Sequence, residues 1–182
     1  MERLGVQVEH LPFELHPEIP AAGRPIRADG RLAPTFARVA AECEQLGLPW
    51  RSPQRMPNTR RALATAEQVR RAHPQAFAAV HRAIFAAHFA EGRPIDDPEV
   101  LDQLVAEAGA PADEVRAAVE DGRADAAVRA AMDAARATGV SSTPTWVLDD
   151  GFIVPGALDG ATLERWLAKI VARRSEVDPS EA

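Results

Sequence analysis

Among the 182 residues there is a single cysteine, Cys43. One thiol cannot close an intrachain disulfide, form a CxxC redox pair or build a cysteine-based zinc site within this chain. Tyrosine is absent, and Lys169 is the only lysine among 21 basic residues. With alanine abundant, this skew reads as a bias toward GC-rich codons and says little about function. No apolar run nears the roughly 20 residues that a membrane-spanning helix needs. Nor is there a basic excess, since 21 basic and 27 acidic residues leave a net charge of −6. An acidic chain is poorly suited to the phosphates of nucleic acid or of an anionic membrane, so neither is expected as a partner. Met1 is followed by Glu2 and Arg3, without the apolar stretch of a secretory signal, which points to a cytoplasmic location. GxGxxG, P-loop, GxSxG and HExxH motifs are all missing, and no cofactor is expected.

What is present suits a globular α/β domain. Hydrophobic residues make up 46% and charged residues 26%, ordinary values for such a chain. Residues 6–11 alternate apolar and polar, the pattern of a strand. Three prolines between Pro12 and Pro20 then forbid a helix, and residues 21–30 read as a loop. Phe36, Val39, Ala40, Cys43 and Leu46 recur at three and four, predicting an amphipathic helix over 34–46. Four further helices are predicted: one from a cap at Asn58 or Thr59 to before Pro74, one with Phe77, Val80, Ile84, Phe85 and His88 or Phe89 as its apolar stripe to Gly92, one from Asp97-Pro98 to Gly109 and one over 111–121; a long Ala-rich one reaches Thr138. After Gly139 the pattern changes. Thr145–Leu148 and Phe152–Val154 read as strands joined by an Asp149-Asp150-Gly151 turn. A last helix carries Leu163, Trp166, Leu167, Ile170 and Val171 on its apolar face. Residues 175–182 are expected to be a disordered tail.

The histidines and acidic clusters offer little chemistry. His81 and His88 lie seven apart on one predicted helix, too far to share a metal ion, and no metal site is expected. His10 and His16 are not assigned to catalysis. Asp96, Asp97 and Glu99 suit a helix N-terminus. Cys43, mid-helix on an apolar stripe, reads as a packing residue.

The most informative stretch is Gly139-Val140-Ser141-Ser142-Thr143-Pro144-Thr145-Trp146-Val147. A helix ends, a short turn follows, and a proline stands where a hairpin strand begins. Locally, Pro144 could be a trans residue that starts a strand or the second residue of a cis bond. The stretch resembles the thioredoxin fold, in which the X-Pro bond at this place is cis and faces the redox centre. The resemblance extends along most of the chain. Pro12-Phe13-Glu14-Leu15-His16-Pro17, Asn58-Thr59, Ile84-Phe85-Ala86-Ala87-His88-Phe89-Ala90-Glu91-Gly92 and Val154-Pro155-Gly156-Ala157, in this order, resemble the DsbA-like thiol–disulfide oxidoreductases and, within them, the FrnE-like group. The same superfamily includes glutathione-using isomerases and kappa-class transferases.

The resemblance implies a thioredoxin-like fold, incomplete at its N-terminus, with a large all-helical insertion. Residues 1–33 and 139–174 would form the thioredoxin-like part and 34–138 the insertion. It also implies that Thr143-Pro144 is cis and that Ser142, Thr143 and Pro144 hold substrate: a dithiol or disulfide peptide, or a small thiol such as glutathione. In the family, a strand runs into a CxxC at a helix N-terminus, where the dipole lowers the thiol pKa. That segment has no counterpart in these residues, and no catalytic residue is assigned. Either an upstream segment supplies it in the natural gene, the favoured explanation, or the protein is a degenerate homologue whose sheet is completed by shifted packing or a second chain. A homodimer formed by strand pairing or swapping is one outcome of the second explanation. The functional expectation is therefore an oxidoreductase-like protein inactive in dithiol exchange as it stands. The alternatives are a non-catalytic peptide- or thiol-binding homologue, or a glutathione-dependent isomerase-like protein.

Overall fold

Short apolar side chains at helical spacing, punctuated by proline and glycine, make this a helix-rich α/β protein. The structure is a computed structural model and describes residues 6–27, 30–148 and 151–177, the side chains of 173–177 excepted. In chain order the elements are β1 (Arg24–Pro25), α1 (Ala33–Gln45), β2 (Arg55–Met56), α2 (Arg60–Ala72), α3 (Pro74–Ala86), α4 (Pro98–Glu107), α5 (Ala112–Glu120), α6 (Arg123–Ala137), β3 (Thr145–Val147), β4 (Ile153–Pro155) and α7 (Gly160–Val177). A π-turn, Ala87–Glu91, continues α3. The chain divides into two compact units, Pro12–Ala134 and a second made of Met1–Leu11 with Ala135–Ala182.

In the first unit α2 is the central helix. It packs on α3, α4 and α5, and α4 packs on α5. The stripe Val69, Val80, Ile84, Leu101, Leu104, Val105 and Val115 is buried between them. A second cluster gathers Ala64 of α2 with Ala124, Val128 and Met132 of α6, and Phe13 packs against it. Alanine at 62, 64, 118 and 124 is buried, and its small side chain lets neighbouring backbones approach closely. Helix starts follow local chemistry. The Asp97 carboxylate accepts from the Glu99 N–H at 2.9 Å, with Pro98 opening α4. Gly92 ends the π-turn with φ of 72°, a left-handed backbone that L side chains resist.

An ionic network fastens the proline-rich N-terminal stretch to this core. Arg60, at the start of α2, donates to the Glu14 carboxylate at 2.8 Å and also to Asp125 of α6. Glu14 is only 5% exposed, so this pairing is what makes its burial tolerable. Asn58 donates to the Ile19 carbonyl at 2.7 Å while its own carbonyl oxygen accepts from the Arg60 N–H at 3.0 Å. The sequence places a cap at Asn58 or Thr59; Asn58 makes the bond.

Several expectations need correction. Residues 6–11 are not a strand. A strand exists only as part of a ladder, and no described residue pairs with this stretch; Val8 and Leu11 are exposed. The loop over 21–30 contains β1, which pairs antiparallel with β2 through Arg24–Met56 and Pro25–Arg55. Asp96 is more than helix-terminal charge: both of its oxygens accept from Arg55 at 2.6 Å, tying β2 to the entrance of α4. Helix α7 continues through Ser175–Val177, so the expected tail is shorter at its start, and 178–182 lie outside the described residues. Phe85 is not on the buried stripe of α3; it is 54% exposed.

Candidate functional site

The second unit holds the turn between α6 and β3. Helix α6 closes with the Gly139 N–H on the Arg136 carbonyl (2.9 Å) and the Val140 N–H on the Ala135 carbonyl (3.0 Å). Gly139 has φ of 93°, which reverses the chain out of the helix, and the Ile153 side chain lies 3.7 Å from where its Cβ would stand. Val140 is buried. Ser142 is half-buried, whereas Thr143 and Pro144 are exposed.

Two bonds set the shape of this turn. The Thr145 hydroxyl donates to the Ser142 carbonyl at 2.6 Å, closing a local ring around Thr143. The Gly156 N–H donates to the Pro144 carbonyl at 2.8 Å, fastening the turn to the return strand. The Thr143–Pro144 peptide bond is cis. Strands β3 and β4 pair antiparallel through Thr145–Pro155, Trp146–Val154 and Val147–Ile153. The hairpin bonds also include Leu148 N–H to the Phe152 carbonyl at 3.0 Å. Asp149 and Asp150, assigned to the turn, lie outside the described residues.

Pro144 and Leu148 therefore spend their backbone groups on β4. Strand alternation turns those of Thr143, Thr145 and Val147 to the opposite edge. Neither the N–H nor the carbonyl of Thr143 has a partner among the described residues. Thr143 and Pro144, beside half-buried Ser142, thus form an exposed corner at the head of a strand edge that has no partner strand among the described residues, able to bond an extended backbone. One further polar group lies on β3. The Trp146 indole Nε1 is buried without an acceptor among the described residues, a donor left unsatisfied. Asp159 accepts from the Thr162 N–H at 2.9 Å at the start of α7, and the Thr162 side chain first and this N–H second hold its carboxyl below the usual range.

Other chemistry-bearing residues lie in the first unit and are described by themselves. Cys43 is half-buried on α1, a helix with no fully buried residue. His88 sits on the π-turn. Burial lowers its pKa, Arg55 adds to that, and Asp96 opposes it. His16 stands 3.1 Å from Glu18. Aromatic rings run along α3 and the π-turn: His81 contacts Phe77 and Phe85, Phe85 contacts Phe89, and Trp50 stacks on Phe89 with centroids 5.6 Å apart. Among the described residues no group of three or more His, Cys, Asp or Glu could hold a metal ion.

The model of the DSBA-like thioredoxin domain matches residues 2–168. The crystal structure of a probable DsbA oxidoreductase from Streptomyces coelicolor superposes with a TM-score of 0.81 at 25% identity, covering 92% of this chain and 76% of that one. No curated protein matches the chain.

Proposed function

Because the chain belongs to the DSBA-like thioredoxin domain family, we propose that it is a thiol–disulfide oxidoreductase-like protein whose 182 residues bind a thiol or disulfide peptide but do not exchange dithiols unaided. The observation that carries the binding half is the unpartnered backbone of Thr143 beside exposed Pro144. An extended peptide laid along Ser142–Pro144 would bond to that N–H and carbonyl, as an added strand does. The observation behind the other half is the single cysteine, since a dithiol step needs two thiols. This reading includes a FrnE-like affiliation, a cytoplasmic location, a thioredoxin-like part at 1–33 and 139–174 and a helical insertion at 34–138.

The test is an insulin-disulfide reduction assay on this polypeptide, together with an amide NMR titration using a disulfide-bonded peptide. The expected results are no turnover above the dithiothreitol background and a saturable shift of the Thr143 amide. Insulin turnover would overturn the inactive half, and an unmoved Thr143 amide the binding half. A Thr143 shift with glutathione but not with the peptide would favour the glutathione-dependent isomerase-like alternative.

A further inference from the structure

The hairpin of β3 and β4 has two outer edges, and they differ in chemistry. Ladder bonds at Pro144, Trp146 and Leu148 join β3 to β4, so the backbone groups of Ile153 and Pro155 face away on the β4 side. Pro155 has no N–H, which leaves Ile153 as the only donor on that edge within β4. Proline at such a place blunts an edge against a further strand.

The β3 edge carries no such block. Thr143, Thr145 and Val147 turn their backbone groups outward, and none of these groups has a partner among the described residues. Each of these residues offers one N–H and one carbonyl. The proline of this stretch, Pro144, stands in the inward register, where its carbonyl accepts from Gly156, so it costs the outer edge no donor. No charged side chain lies between Thr143 and Val147. Thr143 is exposed and Val147 is 49% exposed, so both ends of the edge meet solvent.

From Thr143 to Val147 the edge runs about 13 Å, at roughly 3.3 Å per residue. An antiparallel guest strand would exchange both of its bonds with each of Thr143, Thr145 and Val147, which takes about five extended residues. Glutathione is shorter, and its γ-linked glutamate interrupts the regular backbone, so it can reach the corner but cannot follow the edge. The side chains of Thr143, Thr145 and Val147 share one face of the strand, and all are uncharged and β-branched. Such a face favours β-branched or aromatic neighbours on the guest.

We propose that the outer edge of β3, from Thr143 through Thr145 to Val147, is a track for an extended, uncharged polypeptide segment. The ligand of the corner is then a stretch of protein chain rather than a small thiol. This rests on the peptide-binding reading of Ser142–Pro144 and extends that site along the strand, as an added strand does.

The experiment is an amide NMR titration of the 182-residue protein with a capped Val/Thr heptapeptide whose central cysteine is an S-methyl disulfide, a tripeptide cut from its middle, and oxidised glutathione. The Thr143, Thr145 and Val147 amides are expected to shift together with the heptapeptide, which should bind about ten-fold or more tighter than the tripeptide, as added backbone bonds require. Val147→Pro removes one outward N–H and no bond to β4, and it should weaken the heptapeptide severalfold while leaving the tripeptide unchanged. If that variant fails to fold by circular dichroism, a heptapeptide methylated on every backbone nitrogen replaces it; this ligand keeps its side chains, has no N–H and should not bind. A shift at Thr143 without shifts at Thr145 and Val147, or a tripeptide as tight as the heptapeptide, would overturn the track and leave the corner standing. No shift at Thr143 with any probe would overturn the corner itself, and the track with it. A free protein that sediments as a dimer, and that Val147→Pro returns to a monomer, would seat a second copy on the edge and overturn the assignment.

Discussion

At the residue scale, the Arg60 guanidinium ties the proline-rich N-terminal stretch and α6 to the start of α2. It neutralises buried Glu14 and holds Asp125, so removing it strands a carboxylate in the core. Arg60→Ala is expected to cost about 3 kcal/mol, the low end for a broken buried pair, because the guanidinium is 25% exposed. Urea midpoints give the value. Adding Glu14→Gln to Arg60→Ala should recover part of the loss, since the stranded charge is then gone; a double variant no better than the single would refute this account. That Glu14 is buried was not legible in the sequence. A glutamate between Phe13 and Leu15 in a proline-rich stretch reads as solvated, and its partner lies 46 residues away. At Pro144 the local pattern left cis and trans both open, and the cis bond was legible only through the resemblance of the whole stretch. The unsatisfied Trp146 N–H was not, because it depends on what packs around it.

Periodicity carried the helices. α1, α2, α3, α4, α5 and α6 fall close to where apolar spacing, caps and glycines place them. It failed where partners decide. Residues 6–11 have a strand pattern but no ladder, while β1 and β2 are two-residue pairs with no pattern at all. Periodicity also overcounts burial at the ends of a stripe, as Phe85 shows. Leu101, 2% exposed between α2 and α5 neighbours, should cost about 2–5 kcal/mol when replaced by alanine. Phe85→Ala, at an exposed ring, should cost far less, and thermal unfolding of the two variants side by side checks the contrast. Asp97→Ala removes the α4 cap and should cost about 1 kcal/mol by the same measurement.

For the whole molecule, acid is the informative stress. The Arg55 hydrogen bonds hold the Asp96 carboxyl below the usual aspartate range, and Arg60 does the same for Asp125. A carboxylate whose folded pKa is depressed adds stability that is full above its unfolded value, about 4, and is lost as pH falls through the folded value. The urea midpoint should therefore hold steady near neutrality and fall below about pH 4. Asp96→Asn should flatten part of that fall; an unchanged slope would show that the Arg55–Asp96 pair does not contribute to it.

The Glu14–Arg60–Asp125 clamp also has a consequence in time. Its two bonds join residues 46 and 65 positions apart, whereas α2 with α3 and α4 with α5 meet as sequence neighbours. Local helix pairs close first, because long loops must surrender more chain entropy before any contact rewards them. The clamp is then among the last fastenings to form and the first to open on the way out. In stopped-flow urea jumps, Arg60→Ala should accelerate unfolding while leaving the refolding limb almost where it was. Arg60 would thus govern how long the folded molecule lasts, rather than how quickly it is reached.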